Sequence, residues 1–561
     1  MNMVQKITEQ IKEIVGDAIN KCIEKGILAI EEVPDILVEV PREKTHGDFA
    51  TNIAMVLTKQ AKKNPRAIAQ DIVENSDYGG TYVESIEIAG PGFINFRLNN
   101  MWLYKTVEII HNEKQEYGRV DIGEGKKVMV EFVSANPTGP MHMGNARGAA
   151  LGDTLAAVLD AAGYDVTREF YINDAGNQIE KFGKSLEARY LQLLGQDAEL
   201  PEGGYQGQDV VEHMQDLISR EGDKYLNADS EERQKIFTEY ALRKNLEKIK
   251  KDLGDFGVNF DIWFSEQSLY DSNEIMDTVE LLKDRGYTYE LDGAIWFKAS
   301  LFGVDKDEVL VRSNGIPTYF AGDIAYHRNK FITREYDWVI NIWGADHHGH
   351  VPRMKGAMEA IGVDPDRLDI IIMQLVRLLR NGEVARMSKR KGQTITLADL
   401  IEEVGRDAAR FFFNLRSADT HLDFDLDLAV EKSNENPVFY VQYAHARICS
   451  ILSQIAQEGI AIPAIDSINL TLLKEETEID LMKKLAELPE EITKAAQTIE
   501  PTRITRYVLE VASLFHTFYN SCRVMVDDES LMRARIALIE ATRIVIRNVL
   551  DLLSVSAPER M

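Results

Sequence analysis

The sequence has few cysteines and no long apolar run. Its three cysteines, Cys22, Cys449 and Cys522, lie far apart and form no Cys-x-x-Cys pair, so the pattern predicts neither a disulfide framework nor a structural zinc site. No window approaches the roughly 18 apolar residues that a membrane span needs, and the first residues mix lysine with glutamate instead of resembling a signal peptide. These absences favour a protein of the reducing cytoplasm, without a membrane span.

Positive charge is also scarce, except in one segment. With 64 lysines and arginines against 91 acidic residues, the formal charge is −27, which argues against a protein that coats nucleic acid. Between residues 377 and 391, however, there are six cations and one anion, a local balance of +5. A chain that is acidic overall therefore retains one strip suited to a polyanion.

The composition is that of a folded, multidomain protein. Hydrophobic residues make up 45% and charged residues 28% of the chain, which disfavours long disordered regions. At roughly 100–200 residues per domain, 561 residues predict three or four domains. We expect a small α+β domain over residues 1–115, an α/β domain over 116–400 and an all-α domain over 401–561.

Hydrophobic periodicity predicts the secondary structure of the first and last domains. In the first, residues 7–23 and 49–73 have helical patterns, and alternating runs on both sides of Gly90-Pro91-Gly92 predict a hairpin. In the last, helical patterns dominate, and residues 535–553 form the clearest apolar stripe.

The middle of the chain predicts a parallel sheet. A buried strand over 128–133, a helix over 146–162 and a second strand over 166–171 form a βαβ unit. Further strand-like runs cover residues 294–297, 338–343 and 370–375. The long, polar, mainly helical stretch of about 175–290 is interpreted as an insertion between two halves of this sheet.

Two segments carry candidate chemistry. The loop from Ala135 to Asn145 follows the first strand of the βαβ unit, where backbone N–H groups and a helix N-terminus can receive phosphate charge. Within it, His142 can donate to a phosphoryl oxygen and Gly144 permits close approach of a ligand. The alternative is a proline-rich connection with a chance histidine.

The second segment is Arg386-Met387-Ser388-Lys389-Arg390-Lys391-Gly392, inside the basic strip. A glycine-terminated basic loop can cover a triphosphate, with Lys389 as the point charge for the β and γ phosphates. Charge runs are more often solvated surface, which is the alternative here.

Considered together, these segments resemble the HIGH and KMSKS signatures of class I aminoacyl-tRNA synthetases. The signatures stand here as His142-Met143-Gly144-Asn145 and Arg386-Met387-Ser388-Lys389-Arg390, with Asn145, Arg386 and Arg390 departing from the usual residues. Residues 405–410 are similar to the DALR motif of an anticodon-binding domain. Four further segments resemble arginyl-tRNA synthetases: residues 130–137, 260–266, 436–447 and 557–561.

The resemblance implies a Rossmann-like catalytic domain and the activity of an arginine–tRNA ligase. Such an enzyme activates L-arginine with ATP and Mg²⁺ to arginyl-adenylate and transfers the arginyl group to the terminal ribose of tRNA(Arg). Positioning and electrostatic stabilisation carry the catalysis, which implies catalytic roles for His142, Asn145 and Lys389. The implied ATP contacts are Pro137, Thr138, Gly139, His142, Gly144, Asn145, Asp346, His347, Met387, Ser388 and Lys389.

The arginine pocket follows from the chemistry of a guanidinium, which is planar, permanently charged and rich in donors. Asp323 lies in a segment that resembles the family's arginine-binding segment and would pair with this group, while Tyr319 would close the pocket. Glu131, Ser134 and Asn136 resemble the family's contacts to the rest of the bound arginine. As alternatives, Tyr319 could be a core aromatic and Asp323 a helix N-cap.

The segment from Asp346 to His350 contains three histidines, His347, His348 and His350, which suggests a metal site. No cysteine ligand set accompanies them, and class I synthetases have a similar loop beside the adenosine. We therefore expect ribose and adenine contacts from Asp346 and His347, and no protein-bound metal.

The helical carboxyl-terminal domain is expected to bind the anticodon, and the amino-terminal domain the tRNA elbow. The candidate tRNA contacts are Arg410, Tyr443, Arg447, Arg503, Tyr507, Arg543 and Arg547. Alternatively, these arginines pair with local acids and the tyrosines fill the core. A monomer is expected, and a related nucleotidyltransferase or a synthetase-like RNA-binding protein remain the alternative functions.

Overall fold

The structure is a computed structural model that describes residues 2–41, 43–385, 395–460 and 464–561. Its three parts follow the predicted order: a small α+β domain, a central domain with a parallel sheet, and a helical domain. No helix among these residues is long and apolar enough to cross a membrane.

The amino-terminal domain packs helices on a three-stranded antiparallel sheet in the order β1 (Phe49–Thr51), β3 (Phe93–Leu98), β2 (Val83–Ala89). The predicted hairpin is confirmed, but the single helix predicted over 49–73 is wrong. A strand and three helices occupy that range: the second helix ends before Lys62, which is left-handed with a φ of 48°, and Asn64 caps the third. Its elements are α1 (Met3–Glu24), β1 (Phe49–Thr51), α2 (Ile53–Val56), α3 (Thr58–Ala61), α4 (Pro65–Asn75), β2 (Val83–Ala89), β3 (Phe93–Leu98) and α5 (Met101–Glu113).

The first half of the central domain contains the βαβ unit, and the predicted strand, loop, helix and strand are all confirmed. A bundle of three helices then leaves the sheet, with its own apolar core around Phe182, Tyr190 and Phe237. The elements are β4 (Lys127–Glu131), α6 (Met143–Ala161), β5 (Asp165–Ile172), α7 (Asn177–Leu193), α8 (Gln208–Glu221), α9 (Ser230–Asp255) and β6 (Ile262–Ser265).

The second half completes the sheet and adds a small antiparallel one. The elements are α10 (Gln267–Asp271), α11 (Glu274–Asp284), β7 (Thr288–Leu291), β8 (Ala294–Phe297), β9 (Glu308–Val311), α12 (Tyr319–Arg328), β10 (Trp338–Gly344), α13 (Val351–Ala360) and β11 (Leu368–Met373). The main sheet has the order β11-β10-β4-β5-β6, and every neighbouring pair is parallel. Its strand order reverses between β4 and β10, which is where open α/β sheets bind ligands.

Two strand assignments differ from the sequence prediction. Residues 294–297 were expected in the parallel sheet, but β8 is the centre of the antiparallel sheet β7-β8-β9. Conversely, β6 lies within the expected insertion of 175–290 and yet forms the edge of the parallel sheet. A four-residue apolar run carries no information about its partner strand, so pattern alone cannot assign either strand to a sheet.

The carboxyl-terminal part is mainly helical, as predicted. A small sheet has the order β13 (Glu383–Val384), β12 (Val376–Arg380), β14 (Leu422–Asp425). It spans the expected boundary near residue 400, because β12 and β14 pair in parallel across it. The elements are β12 (Val376–Arg380), β13 (Glu383–Val384), α14 (Leu397–Val404), α15 (Arg406–Phe413), β14 (Leu422–Asp425), α16 (Leu426–Val430), α17 (Pro437–Gln457), α18 (Glu476–Ala486), α19 (Leu488–Gln497), α20 (Thr502–Ser521) and α21 (Glu529–Leu552). The predicted helix over 535–553 is confirmed within α21, apart from its last residue.

Candidate functional site

The predicted loop leaves the sheet sharply at the end of β4. Val133 and Ser134 have φ angles of 68° and 41°, a left-handed conformation that is costly for a β-branched residue such as valine. Such backbone strain concentrates at binding sites, where the surrounding structure maintains it. The turn directs the loop across the carboxyl ends of the strands, towards the start of α6.

His142 and Asn145 form the junction between this loop and α6. His142 is the exposed residue before the helix, and its backbone N–H donates to Oδ1 of Asn145 at 3.2 Å. Asn145 therefore caps the helix with its oxygen, while its amide nitrogen can still donate to a ligand. The free N–H groups of the helix N-terminus add a site for phosphate charge.

The chain that follows the second signature contacts the first signature loop. Met387, Ser388 and Lys389 belong to residues 386–394 and lie outside the described residues. Beyond them, the backbone N–H of Leu397 donates to the carbonyl oxygen of Met141 at 3.1 Å, and Thr396 forms an antiparallel bridge with His142. Residues 396 and 397, which follow the second signature in the chain, therefore pair with the first signature loop.

Asp323 and Tyr319 lie on α12, beside the crevice. The helix is capped by Thr318, whose side chain accepts from the N–H of Ala321, so the alternative of Asp323 as an N-cap is wrong. Oδ2 of Asp323 instead accepts from Nε2 of His350 at 3.0 Å. Tyr319 is 51% exposed, which excludes the core alternative, and a Cβ placed on Gly176 would lie 3.2 Å from its hydroxyl.

Glu266 is a site residue that the sequence interpretation missed. It follows β6 and is 3% exposed, and its Oε2 accepts no hydrogen bond from any residue that the structure describes. Burial, followed by the nearby charges of Asp323 and Asp174, raises the pKa of the Glu266 carboxyl to about 8. It lies in the segment 260–266 that resembles the family, but the sequence pattern assigns that segment to the insertion. Glu266 and Asp323 together form an acidic wall that suits a guanidinium.

Glu131 anchors the other side of the crevice. Its Oε2 accepts from the fully buried Lys330 at 2.6 Å, and its Oε1 accepts from Oγ of Ser134 at 2.9 Å. Burial lowers the pKa of Lys330, although the carboxylate of Glu131 opposes this effect. Because each carboxylate oxygen has a further lone pair, Glu131 can still accept from a bound ligand.

The segment with three histidines forms a single 3₁₀ turn after β10. Asp346 and His347 are exposed, with Nε2 of His347 3.6 Å from Oδ2 of Asp346, whereas His350 turns inward to Asp323. The histidines therefore do not converge on one point. Within the described ranges, no group of three or more histidine, cysteine or acidic residues is placed to hold a metal ion.

In the helical domain, Tyr443 and Arg447 belong to a partly exposed aromatic platform. Phe439 stacks parallel to Tyr443 with ring centroids 5.9 Å apart, and His516 stacks on Tyr443 at 6.1 Å. The guanidinium of Arg447 lies between Tyr443 and Tyr519, at 5.0 and 4.6 Å from their ring centroids. Stacked rings with an adjacent cation suit unpaired nucleic-acid bases.

Two predicted tRNA contacts are wrong, because the structure buries them. Arg410 is fully buried and donates to Asp153 at 2.6 Å and to the carbonyl oxygen of Leu553 at 2.7 Å. Tyr507 is 1% exposed, and its hydroxyl donates to the carbonyl oxygen of Lys484 at 2.9 Å. Arg410 therefore joins the helical domain to α6 of the central domain, whereas Tyr507 lies in the helical core, and neither can reach a nucleic acid.

The other candidate arginines differ in their surroundings. Arg503 pairs with Glu491 at 3.0 Å, and Arg543 pairs with Glu540 at 2.7 Å, both partly buried. Arg547 is exposed. Of the three, Arg547 has its charge most accessible to a phosphate.

Three family models match the chain. They describe an arginyl tRNA synthetase N terminal domain at residues 9–98, a class I tRNA synthetase (R) catalytic domain at 106–431, and a DALR anticodon binding domain at 441–561. Among curated proteins, the chain is 62% identical to the arginine–tRNA ligases of Ruminiclostridium cellulolyticum and Caldanaerobacter subterraneus subsp. tengcongensis, with 100% of each chain covered.

Solved structures are similar over nearly the same length. The arginyl-tRNA synthetase of Thermus thermophilus matches with a TM-score of 0.73 at 20% identity, covering 98% of this chain and 99% of that one. The enzyme of Plasmodium falciparum matches with a TM-score of 0.75 at 18% identity, covering 99% of both. At these identities, the likeness supports the fold alone.

Proposed function

The chain belongs to the arginyl-tRNA synthetase family and is an arginine–tRNA ligase of class I, and we propose how its residues divide the reaction among themselves. The enzyme joins arginine to tRNA(Arg) with ATP. One observation carries the proposal: an acidic wall, formed by Asp323 and Glu266, lies at the same sheet edge as the first signature loop.

Arginine binds with its guanidinium against this wall. Asp323 is partly exposed, and Glu266 offers an oxygen that accepts no hydrogen bond from any described residue, so two carboxylates can share the five donors of the guanidinium. Tyr319 closes the pocket over Gly176. Glu131, Ser134 and Asn136 then lie on the side of the α-amino and carboxyl groups, at the end of β4.

ATP binds along the first signature, and Mg²⁺ enters as part of this substrate complex. Pro137, Thr138 and Gly139 line the nucleotide, and the N-terminus of α6 with His142, Gly144 and Asn145 receives the phosphates. Asp346 and His347 contact the ribose and adenine. Met387, Ser388 and Lys389 cover the phosphates from the second signature.

Catalysis follows from this arrangement without a protein nucleophile. A carboxylate oxygen of arginine attacks the α-phosphorus, a new P–O bond forms, and the bond to the bridging oxygen of pyrophosphate breaks. His142, Asn145 and Lys389 stabilise the charge that develops on the phosphates. The terminal ribose hydroxyl of the tRNA then attacks the arginyl carbonyl and AMP leaves.

The outer domains hold the tRNA. Tyr443 and Arg447, with the rest of their platform, stack on anticodon bases, and Arg547 contacts the backbone. Arg503 and Arg543 contribute only if their ion pairs open. The amino-terminal domain contacts the tRNA elbow, and the enzyme acts as a monomer in the cytoplasm.

Arginine-dependent pyrophosphate exchange tests the assignment of the pocket. Asp323→Asn keeps the shape but removes charge, so the arginine KM should rise by roughly 100-fold while the ATP KM changes little, as expected for a lost charged hydrogen bond. Asp271→Asn is the matched control, because Asp271 is an exposed carboxylate on the neighbouring α10. An unchanged arginine KM in the folded Asp323→Asn variant would move the guanidinium site elsewhere.

A further inference from the structure

The helical bundle α7–α9 carries neither signature, yet it contacts the first signature loop at several points. Nδ2 of Asn136 donates to Oε1 of Gln178 on α7 at 2.8 Å. Nδ2 of Asn245 on α9 donates to the carbonyl oxygen of Pro137, also at 2.8 Å. On α8, the Asp209 carboxylate lies 3.6 Å from where a Cβ on Gly139 would be. The loop is therefore held from one side by the bundle.

Asn245 makes the most buried of these contacts. The residue is 4% exposed, and its hydrogen bond to Pro137 is shielded from water. A buried carbonyl oxygen that loses its donor is costly, so this contact maintains the loop more strongly than the exposed bond from Asn136 does.

His213 on α8 determines which way the Asn245 amide points. Its Nε2 lies 2.8 Å from Oδ1 of Asn245. Because the Pro137 oxygen can only accept, the Asn245 nitrogen must face it, and the Asn245 oxygen then faces His213. His213 therefore donates from Nε2. Both ends of the amide are satisfied, and the side chain is locked in one orientation.

We propose that Asn245, oriented by His213, is a positioning residue that sets the conformation of the ATP-binding loop from the helical bundle. The loop leaves β4 through the strained residues Val133 and Ser134 and forms no regular secondary structure before His142. It therefore needs an external support at its middle. The proposal rests on the assignment of this loop to ATP and arginine.

Asn245→Ala tests the proposal in the full-length enzyme. We expect the ATP KM in pyrophosphate exchange to rise and kcat to fall, with a combined loss in kcat/KM for ATP of roughly ten-fold, which is about 1.4 kcal/mol. His213→Ala should have a smaller effect in the same direction. The double variant should equal Asn245→Ala, because His213 acts only through Asn245.

Tyr190→Phe is the matched control for a general weakening of the bundle. It removes two partly buried hydrogen bonds inside the same bundle and away from the loop: the one that the Tyr190 hydroxyl donates to the carbonyl oxygen of Gly222 and the one that it accepts from the N–H of Tyr225. Its ATP KM should equal that of the wild type. The positioning role is wrong if Tyr190→Phe and Asn245→Ala lower the thermal stability equally and also have equal kinetics. It is also wrong if the effects of His213→Ala and Asn245→Ala are additive.

His142→Ala separates this inference from the assignment of the loop. If His142→Ala abolishes pyrophosphate exchange but Asn245→Ala leaves the kcat/KM for ATP unchanged, the loop is the ATP site and the bundle does not position it. If His142→Ala is itself without effect, the assignment of the loop fails first.

Discussion

Arginine binding should release a proton from Glu266. In the free enzyme the pKa of this carboxyl is raised from 4.5 to about 8, mainly by burial, which corresponds to about 5 kcal/mol in favour of the protonated form. At pH 7 about nine-tenths of the molecules should therefore carry this proton. A guanidinium placed against Glu266 reverses the balance, because a nearby positive charge lowers a carboxyl pKa.

Isothermal titration calorimetry measures this release directly. Titrations of L-arginine at pH 7 in buffers with different ionisation enthalpies should give close to one proton released per arginine bound. Below pH 8, the Kd for arginine should fall by up to about ten-fold per pH unit as pH rises, and it should level off above pH 8. Citrulline, which has the same shape without the charge, should release no proton.

Glu266→Gln is the decisive variant, because it keeps the shape of the side chain but cannot ionise. Proton release should disappear and the Kd should become nearly independent of pH below 8, whereas the control Asp271→Asn should behave as the wild type. If the Glu266→Gln variant released as many protons as the wild type, or the wild type released none, the pairing of Glu266 with the guanidinium would be refuted.

The same carboxyl affects stability with a defined sign. Its pKa is higher in the folded protein than in the unfolded chain, so its contribution is fully present below about pH 4.5 and is lost as pH rises to about 8. A comparison of urea unfolding of wild type and Glu266→Gln between pH 6 and 9 should show this loss in the wild type only. Equal pH dependence in both proteins would assign the effect to other groups.

Three further outcomes are expected. Lys389→Ala should slow adenylate formation by roughly 100-fold or more in single turnovers at saturating ATP, and equal rates would remove Lys389 from catalysis. The double variant Tyr443→Ala/Arg447→Ala should weaken tRNA(Arg) binding by roughly ten-fold or more in filter-binding assays, while tRNA-independent steps stay unchanged. If this variant bound tRNA(Arg) with the wild-type affinity, a role of the aromatic platform in tRNA binding would be excluded. Arg410→Ala should lower the free energy of unfolding by about 2–3 kcal/mol, because it removes one of the two cations at the buried Asp153, the other being Arg168, and leaves the carbonyl oxygen of Leu553 without this donor; a loss below about 1 kcal/mol in urea titrations would contradict this.

Local patterns were sufficient for much of the fold. The βαβ unit, the hairpin around Gly90-Pro91-Gly92 and the long helix α21 are confirmed because their apolar periods and turn residues are encoded within a few residues of each other. The two signatures and the resemblance they carry are equally local. They were sufficient to predict the family and the reaction.

Which strand pairs with which was decided only by the tertiary structure. The runs at β6 and β8 are equally short and apolar, but one joins the parallel sheet and the other does not. That choice depends on contacts with strands far away in the sequence. It also determined whether Glu266 was seen as part of an insertion or as part of the pocket.

Burial decided the roles of individual charged and aromatic residues. Nothing near Arg410 or Tyr507 in the sequence distinguishes them from Arg447 or Tyr443, yet the first two are enclosed by distant elements and the last two remain partly exposed. The pKa of Glu266 likewise depends on burial and on Asp323, which lies on another helix. Residue type and local pattern, which a sequence contains, determine what a side chain can do. Desolvation and long-range neighbours, which only the folded chain creates, determine what it does.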